Sequence, residues 1–504
     1  MGDILLGFYE AFTWLNILFL ILGIFFGVII GAIPGLNAPM AIAIAVPMTY
    51  YLPTVAAIGF LVGINKGATF GGSIAAILIN TPGTPEAAIT TFDGYALTKK
   101  GQGEKAMKVA LYSDVIGDTF SDLVLILVAA PLAFVALKMG PAEITSVIIF
   151  SLALIIALES DSLVKGLIAG CFGILLSCIG MDPMTSSDRL TFDLVELQQG
   201  ISIIVVGIGM LALSEILLQL QQLRSAGGKG GMTQSVVLSD NPKDRQLSWL
   251  ELRSCLKTIF RSAGIGTTLG ILPGLGAILA AYLGYGAARK ASKDPESFGK
   301  GNIEGVAAPV SASAAVCGAN LVPLFTLGIP GNVAAAMLIG AFVIHGVTPG
   351  PLMFEENGVV VYGIFFSLII ANFLNLFIGQ VFLRGFAKAL MMPKAVIYPA
   401  IILICMVGAY AENSSINIIF IMLVTTVLGY FMKLLKYPFI SFIIGFILGP
   451  RLELALQQML VISDNGILIL FVKPVSAVFM ALTAFVLIQA VVKRIRLFRE
   501  AQTV

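Results

Sequence analysis

Hydrophobic residues fill long stretches of this 504-residue chain, and polar residues collect in the short segments between them. Many of these stretches are near 20 residues long, about the length that an α-helix needs to cross a bilayer. In the first part of the chain they predict spans at about 109–137, 142–158, 163–180 and 197–221. The pattern as a whole predicts an all-α polytopic membrane protein with roughly 10–14 membrane-crossing or half-crossing segments.

Two apolar stretches are interrupted by a Pro-Gly pair. The first central break is Asn80-Thr81-Pro82-Gly83-Thr84, and the second central break is Gly328-Ile329-Pro330-Gly331-Asn332. Proline removes a backbone donor and glycine permits unusual dihedrals, so a helix is expected to stop and restart at each break. Because a bilayer tolerates irregular backbone only where protein or a cavity surrounds it, the breaks predict broken or re-entrant helices that form a binding site.

Further landmarks recur in the same order. Two Pro-Gly-Leu breaks begin at Pro34-Gly35 and at Pro273-Gly274, and Gly140-Pro141 corresponds to Met392-Pro393. With the two central breaks these make three pairs of landmarks. Their members are separated by 239 residues for the Pro-Gly-Leu breaks, 248 for the central breaks and 252 for the last pair. This near-constant spacing predicts two homologous halves. The predicted organisation is a first membrane repeat at 1–225, a linker at 226–249 and a second membrane repeat at 250–504.

The loop charges indicate how the halves are oriented. Basic residues favour cytoplasmic loops. Matching loops carry opposite charge: Lys99, Lys100, Lys105 and Lys108 correspond to a segment with Glu355 and Glu356, and the acidic loop 182–196 corresponds to one with Lys433 and Lys436. The sequence therefore predicts inverted repeats, as in many secondary transporters. The linker and the basic tail around Lys493 are predicted to be cytoplasmic.

Composition excludes several other classes of protein. Hydrophobic residues make up 58% of the chain and charged residues 12%, whereas soluble proteins average about 25% charged residues. A net charge of +2 gives no reason to expect a nucleic-acid partner. The five cysteines lack CxxC spacing, and no P-loop or HExxH motif occurs. We expect no metal site, no cofactor and no enzymatic activity.

The breaks suit an anion because the N-terminus of a half-helix exposes unpaired N–H groups and partial positive charge. Carbonyl groups freed near Asn80 and Gly328 are candidate ligands for a sodium ion. Alternatively, the kinks only shape helix packing. The predicted substrate-binding residues are Asn37, Asn80, Thr81, Gly83, Thr84, Gly328, Gly331 and Asn332. The predicted helix-break residues are Pro34, Gly35, Pro82, Pro273, Gly274 and Pro330.

Ionisable residues inside apolar segments are costly and often functional. Asp114, Asp118 and Asp122 lie four residues apart, so they share one helix face and are candidates for ion coupling, by proton or sodium. A structural or subunit-contact role is the alternative. Lys66 is expected either to form an ion pair or to offset substrate charge. His345, the single histidine, is expected to be structural, with proton coupling as the alternative.

Several long motifs resemble the large membrane subunit of the tripartite tricarboxylate transporters. They include residues 71–101 with Asn-Thr-Pro-Gly and Phe-Asp-Gly-Tyr-Ala-Leu, residues 304–309, residues 327–354, and both Pro-Gly-Leu breaks. The resemblance covers nearly the whole chain. At Val310 and at Ser313-Ala314 the chain departs from the Glu and the Asn pair frequent in that family, which affects the identity of the substrate if these positions contact it.

This resemblance implies a multi-pass protein of the bacterial inner membrane that imports citrate-like tricarboxylates or related carboxylates by symport with an ion. It also implies two partners, a small membrane subunit and a periplasmic solute-binding protein. Three alternatives are a self-sufficient carboxylate carrier, a membrane enzyme acting on a lipid-linked anion, and a channel. The aspartates at 114–122 are the sole acidic cluster that an enzyme of that kind would use, and a channel does not require paired broken helices.

Overall fold

A computed structural model describes residues 2–159, 162–225, 245–389, 394–413, 415–464 and 466–502. Residues 226–244 of the predicted linker and the predicted landmark Met392-Pro393 lie outside the described residues, as do the side chains of the basic tail. Within the described ranges the chain is almost entirely helical. They also contain one two-stranded antiparallel ribbon, Gly180–Met181 with Asp188–Arg189, at the start of the predicted acidic loop.

Helices of the first part of the chain follow the predicted breaks. They are α1 Gly2–Ala11, α2 Trp14–Ala32, α3 Ala38–Ala45, α4 Thr54–Ile79, α5 Thr90–Lys99, α6 Gly103–Ala136, α7 Pro141–Glu159, α8 Leu163–Ser177, α9 Val195–Gln198, α10 Ile203–Gly207 and α11 Ser214–Ser225. Short 3₁₀ turns at Val46–Thr49 and Pro85–Ala88 extend α3 and precede α5, and a π-helical segment, Ile208–Leu213, joins α10 to α11.

The described residues of the second part are also mainly helical. Their helices are α12 Trp249–Gly270, α13 Gly276–Ala291, α14 Ile303–Ala319, α15 Leu321–Leu327, α16 Val333–Ile344, α17 Met353–Glu356, α18 Gly358–Ala389, α19 Lys394–Asn413, α20 Ile416–Leu434, α21 Phe439–Ile462, α22 Ile469–Val472 and α23 Pro474–Gln502. Two 3₁₀ turns, Pro295–Ser297 and Gly466–Leu468, lie in connecting loops.

Ten segments of the described chain are long and apolar enough to cross a membrane, and four shorter apolar helices accompany them. The shorter helices include Ala38–Thr49 and Val333–Ile344, which follow a Pro-Gly-Leu break and a central break. At about 1.5 Å per residue, a helix of 12 residues covers about 18 Å, well short of a bilayer core of about 30 Å. The prediction of an all-α polytopic membrane protein is confirmed.

Glycines bring α2 and α4 into close contact. A Cβ atom added at Gly23, Gly27 or Gly31 would lie 2.2–2.3 Å from the carbonyl oxygen of Phe60, Ile64 or Ala68, respectively. Without side chains at these positions the two backbones can approach each other, as in small-residue interfaces of membrane helices. Because the contacting numbers rise together, α2 and α4 run parallel, and the chain between them turns back at Pro34-Gly35.

In the second half, α12 and α14 pack in the same way. A Cβ atom at Gly266 would lie 2.1 Å from the Ala312 carbonyl oxygen, and one at Gly270 would lie 3.2 Å from the Val316 carbonyl oxygen. These helices are therefore also parallel, and the chain turns back between them at Pro273-Gly274. Each half thus holds a parallel helix pair with a returning short helix, and α4 and α14 occupy equivalent places in that arrangement.

Helix α6 contacts helices of both halves and gives the relative direction of α4 and α14. Leu78 is near Gly103 whereas Lys66 contacts Asp118, so α4 runs antiparallel to α6. A Cβ atom at Gly117 would lie 2.4 Å from the Ser311 carbonyl oxygen, and one at Gly318 would lie 2.4 Å from Asp122 Oδ1. Helix α14 therefore runs parallel to α6 and antiparallel to α4.

Candidate functional site

The first central break ends α4 in the predicted manner. Asn80 adopts the left-handed conformation with φ of 55° and is exposed, as is Thr81. The chain then restarts as a 3₁₀ turn, so Thr84 precedes a short turn rather than the first turn of an α-helix. Asn80 lines a cavity of about 490 Å³ together with Tyr95 and Lys99. The break therefore presents polar groups and a nearby cation to an open space.

The second central break has a matching backbone. Gly328 ends α15 in the left-handed conformation with φ of 68°, at the position equivalent to Asn80. Asn332 then begins α16, and its Oδ1 accepts a hydrogen bond from the Ala335 N–H at 2.8 Å. In the first Pro-Gly-Leu break, Asn37 Oδ1 accepts from the Met40 N–H at 3.2 Å in the same way. Both asparagines therefore act as helix caps, which leaves their amide nitrogens as donors for another acceptor.

Each central break packs against the Pro-Gly-Leu region of its own half. A Cβ atom at Gly83 would lie 2.0 Å from the Gly31 carbonyl oxygen, and the Gly274 N–H donates to the Gly331 carbonyl oxygen at 3.0 Å. The element that follows each central break packs against the other half. Helix α16 packs on α3, and the turn Pro85–Ala88 packs on α13. Two pairs of elements, each with one member from either half, thus lie together around the breaks.

A charged side chain that the sequence analysis missed binds the second central break. Arg451, from α21, donates to the Gly328 carbonyl oxygen at 2.7 Å and to the Pro349 carbonyl oxygen at 2.8 Å. The Gly328 carbonyl group, a predicted sodium ligand, therefore already accepts from a guanidinium. This contact places a positive charge beside the break, where an anionic substrate would be favoured.

The three predicted ion-coupling aspartates are buried, and a lysine joins two of them. Lys66 Nζ lies 2.6 Å from Asp118 Oδ2 and 2.7 Å from Asp122 Oδ2, and it donates to Asn372 Oδ1 at 2.8 Å. Asp114 is 1% exposed, so it is not a solvated surface residue. The ion-pair interpretation of Lys66 agrees with this geometry. We name Lys66, Asp114, Asp118, Asp122, Asn372 and Asn375 the charged cluster.

Asp93 forms a second polar centre, which the sequence analysis did not predict. Its carboxylate is fully buried and accepts hydrogen bonds from the backbone N–H groups of Gly299, Gly301 and Asn302 at 2.8–3.0 Å, and from the Tyr285 hydroxyl at 2.9 Å. Burial and the neighbouring carboxylate raise the pKa of Tyr285 well above its usual range, so the hydroxyl stays protonated and donates. We call this arrangement the Asp93 clamp; it ties the segment after the first central break to the loop before α14.

His345 lies just beyond the end of α16, on the segment that follows the second central break. Its Nε2 is 3.3 Å from the Thr49 hydroxyl. Thr49 is the last residue of the 3₁₀ turn that extends α3, the helix after the first Pro-Gly-Leu break. Burial lowers the pKa of His345, which favours the neutral imidazole near pH 7. The Asp93 clamp joins the segment after the first central break to the second half. In the same way, His345 joins the segment after the second central break to the first half, but through a single hydrogen bond.

The positions that depart from the family pattern are buried in α14. Val310, Ser313 and Ala314 are 1–4% exposed and lie on the helix that packs along α6, which carries the aspartates. Ser313 donates to the Val310 carbonyl oxygen of its own helix. These positions therefore contribute to the packing beside the charged cluster.

Comparison with known proteins identifies the family. The family model "Tripartite tricarboxylate transporter TctA family" matches residues 17–444. An uncharacterized 52.8 kDa protein in the TAR-I ttuC' 3'region of Agrobacterium vitis is 33% identical over 502 residues, covering 99% of this chain and 98% of the relative. A protein in the TAR-II ttuC' 3'region of the same organism is 33% identical over 235 residues, which is 47% of this chain and 97% of the relative. No solved structure matches. The chain, a multi-pass membrane protein by its helices, therefore belongs to the tripartite tricarboxylate transporter TctA family.

Proposed function

We propose that this chain is the large transmembrane subunit of a binding-protein-dependent secondary transporter in the bacterial inner membrane. It imports citrate-like tricarboxylates or related carboxylates, driven by an ion gradient, together with a small membrane subunit and a periplasmic solute-binding protein. The observation that carries the proposal is the family match over residues 17–444, on a chain with paired broken helices. Transport rather than catalysis agrees with both.

The proposed substrate site lies at the breaks. The anionic groups of a carboxylate would meet the N-termini of α3 and α16, where Asn37 and Asn332 retain amide donors after capping. The Arg451 guanidinium, held at the Gly328 carbonyl group, adds positive charge next to the second central break. Thr84 is 1% exposed beside the first break, so its hydroxyl contacts substrate only after local opening.

The proposed mechanism is alternating access between two inverted repeats. The antiparallel directions of the equivalent helices α4 and α14 support the inversion, and so does the crossed packing of the elements that follow the breaks. On the face predicted to be cytoplasmic, the Asp93 clamp joins the two halves. On the opposite face, the His345 and Thr49 side chains make the equivalent contact. Opening one contact while the other is closed would expose the breaks to one side at a time.

Reconstitution into lipid vesicles tests the proposal. Uptake of radiolabelled citrate and of a panel of di- and tricarboxylates is compared for three preparations. These are the large subunit alone, the two membrane subunits together, and both membrane subunits with the liganded binding protein. We expect saturable, gradient-driven uptake with the complete set and little uptake by the lone chain at micromolar substrate. Full-rate uptake by the lone chain would identify a self-sufficient carrier, non-saturable flux a channel, and chemical conversion without uptake an enzyme.

A further inference from the structure

The charged cluster contains more negative charge than it can balance. Three aspartates face a single lysine, and all four residues are at most 2% exposed. An ionised carboxylate without a partner is very unfavourable inside a low-dielectric region. Lys66 compensates one of the three carboxylate charges, so two further positive charges, such as protons, are needed to make the cluster neutral. The cluster spans both halves, because Asn372 and Asn375 belong to α18.

Asp114 is the member of the cluster that lacks a charged partner. Asp118 and Asp122 each contact the Lys66 ammonium at 2.6–2.7 Å, but among the described residues Asp114 accepts a hydrogen bond only from the neutral Asn375 amide, at 3.1 Å. Asp114 Oδ1 and Asn375 Oδ1 are buried, and neither has a hydrogen-bond partner among the described residues. Two orphaned oxygens on bonded side chains therefore indicate that a proton belongs between or beside them.

The ammonium of Lys66 takes the position that a metal cation would need. Its three N–H bonds can all be used, by Asp118, Asp122 and Asn372, at 2.6–2.8 Å. A sodium ion at this position would have to displace the lysine. The Oδ1 atoms of Asp114, Asp118 and Asp122 have no hydrogen-bond partner among the described residues, and each can take a proton, which needs no ligand shell and no free volume. The geometry thus disfavours sodium at the Lys66 position and leaves carboxylate oxygens that can bind a proton.

We propose that Asp114 is the proton-loading residue of a proton-coupled uptake cycle, with Lys66 as a fixed internal cation in the position that a sodium ion would take between Asp118 and Asp122; this rests on the proposed carboxylate transport. Protonation converts the Asp114 carboxylate to a neutral carboxyl group whose hydroxyl can donate, and proton release restores the charge. Since Asn375 bonds Asp114 from the other half, the change in charge alters a contact between α6 and α18. This contact would couple loading to the relative position of the halves.

Other groups around Asp114 do not compensate its charge. The elements packed against α6 contribute the Lys66 ammonium from α4 and the Cys317 thiol from α14, and α18 contributes the neutral Asn372 and Asn375. Asp118 adds like charge from one turn along α6. On α12, Glu251 pairs with Lys105 and Arg261 donates to the Ala287 carbonyl oxygen. Asp114 therefore faces one shared cation and one further carboxylate.

The experiment uses the complete reconstituted system and radiolabelled citrate, or the carboxylate that the panel selects. Accumulation is measured in sodium-free medium with a tenfold inward proton gradient, and separately at equal pH with a tenfold inward sodium gradient. One coupled proton supports up to about tenfold accumulation under the first condition. Asp114→Asn should abolish that accumulation but retain counterflow, the exchange of labelled for unlabelled carboxylate, because exchange needs no net proton movement. Asp114→Glu should retain gradient-driven uptake.

Asp188→Asn, in the exposed two-stranded ribbon, is the matched control and should accumulate substrate like the unaltered protein. Accumulation driven by sodium alone, or full proton-driven accumulation by Asp114→Asn, would overturn the proposal. Absence of counterflow in the unaltered protein would instead contradict the proposed transport function. If Asp114→Asn fails to fold, a sodium-only requirement in the unaltered protein still decides against proton coupling.

Discussion

The Asp93 clamp allows a quantitative prediction. Asp93→Asn replaces a buried carboxylate that accepts from three backbone N–H groups and one hydroxyl with an amide that offers one acceptor oxygen. Hydrogen bonds to a charged group contribute about 1.5–3 kcal/mol each, against about 0.5–1.5 for neutral pairs. The substitution weakens all four hydrogen bonds, and it also turns the amide NH₂ group toward backbone groups that are themselves donors. Together these effects destabilise the closed contact by about 3–5 kcal/mol. The balance between closed and open forms should shift by roughly a hundred- to a few thousand-fold.

Distance measurement between spin labels checks this prediction. In a cysteine-free background, labels at the exposed positions Lys99 and Glu296 report the separation of the two segments that the clamp joins. The unaltered clamp should give one short distance, and Asp93→Asn should add a longer population. Asp294→Asn, an exposed aspartate on the same loop, is the matched control and should leave the distances unchanged. An unchanged distribution in Asp93→Asn would refute the clamp as a closing contact.

Three further predictions concern the breaks and the orientation of the halves. Gly83→Ala should lower the free energy of unfolding of the purified protein by about 1–3 kcal/mol, because the added Cβ would lie 2.0 Å from the Gly31 carbonyl oxygen. Arg451→Gln should weaken carboxylate affinity at least about tenfold in uptake assays, since a charge-assisted contact contributes about 1.5–3 kcal/mol. Single cysteines at the exposed Lys99 and Thr348 should react with an impermeant reagent from opposite sides of the membrane. Labelling of both from one side would contradict the inversion.

The breaks could be predicted from the sequence because their causes are local. Pro82 and Gly83 interrupt the helix through their own backbone properties, which need no distant partner. The left-handed residues Asn80 and Gly328 occur at the positions that the repeat predicts. Asn332 was predicted to contact substrate, and the structure adds that its side-chain oxygen also caps α16. The prediction about the Gly328 carbonyl group could not foresee Arg451, which lies 123 positions further along the chain.

The charged cluster and the clamp depend on contacts between distant segments. The spacing of Asp114, Asp118 and Asp122 indicated a shared face, but their lysine partner belongs to a helix before the first central break. Asp93 had no role that the sequence could indicate, because its partners lie 192 to 209 positions away. Such contacts follow from how parallel and antiparallel helices assemble. No local pattern in this single sequence encodes them.

The most direct test of the central claim, that the breaks bind the carboxylate, is the substrate affinity of altered breaks. The apparent affinity is measured in reconstituted vesicles for Thr84→Ala and Asn332→Ala, with Asn417→Ala in an exposed position as the matched control. Removing one polar partner costs about 1–3 kcal/mol, so each break variant should bind about 5- to 150-fold more weakly while the control is unchanged. Unaltered affinity and rate in both break variants would contradict the account and would leave the breaks as packing features.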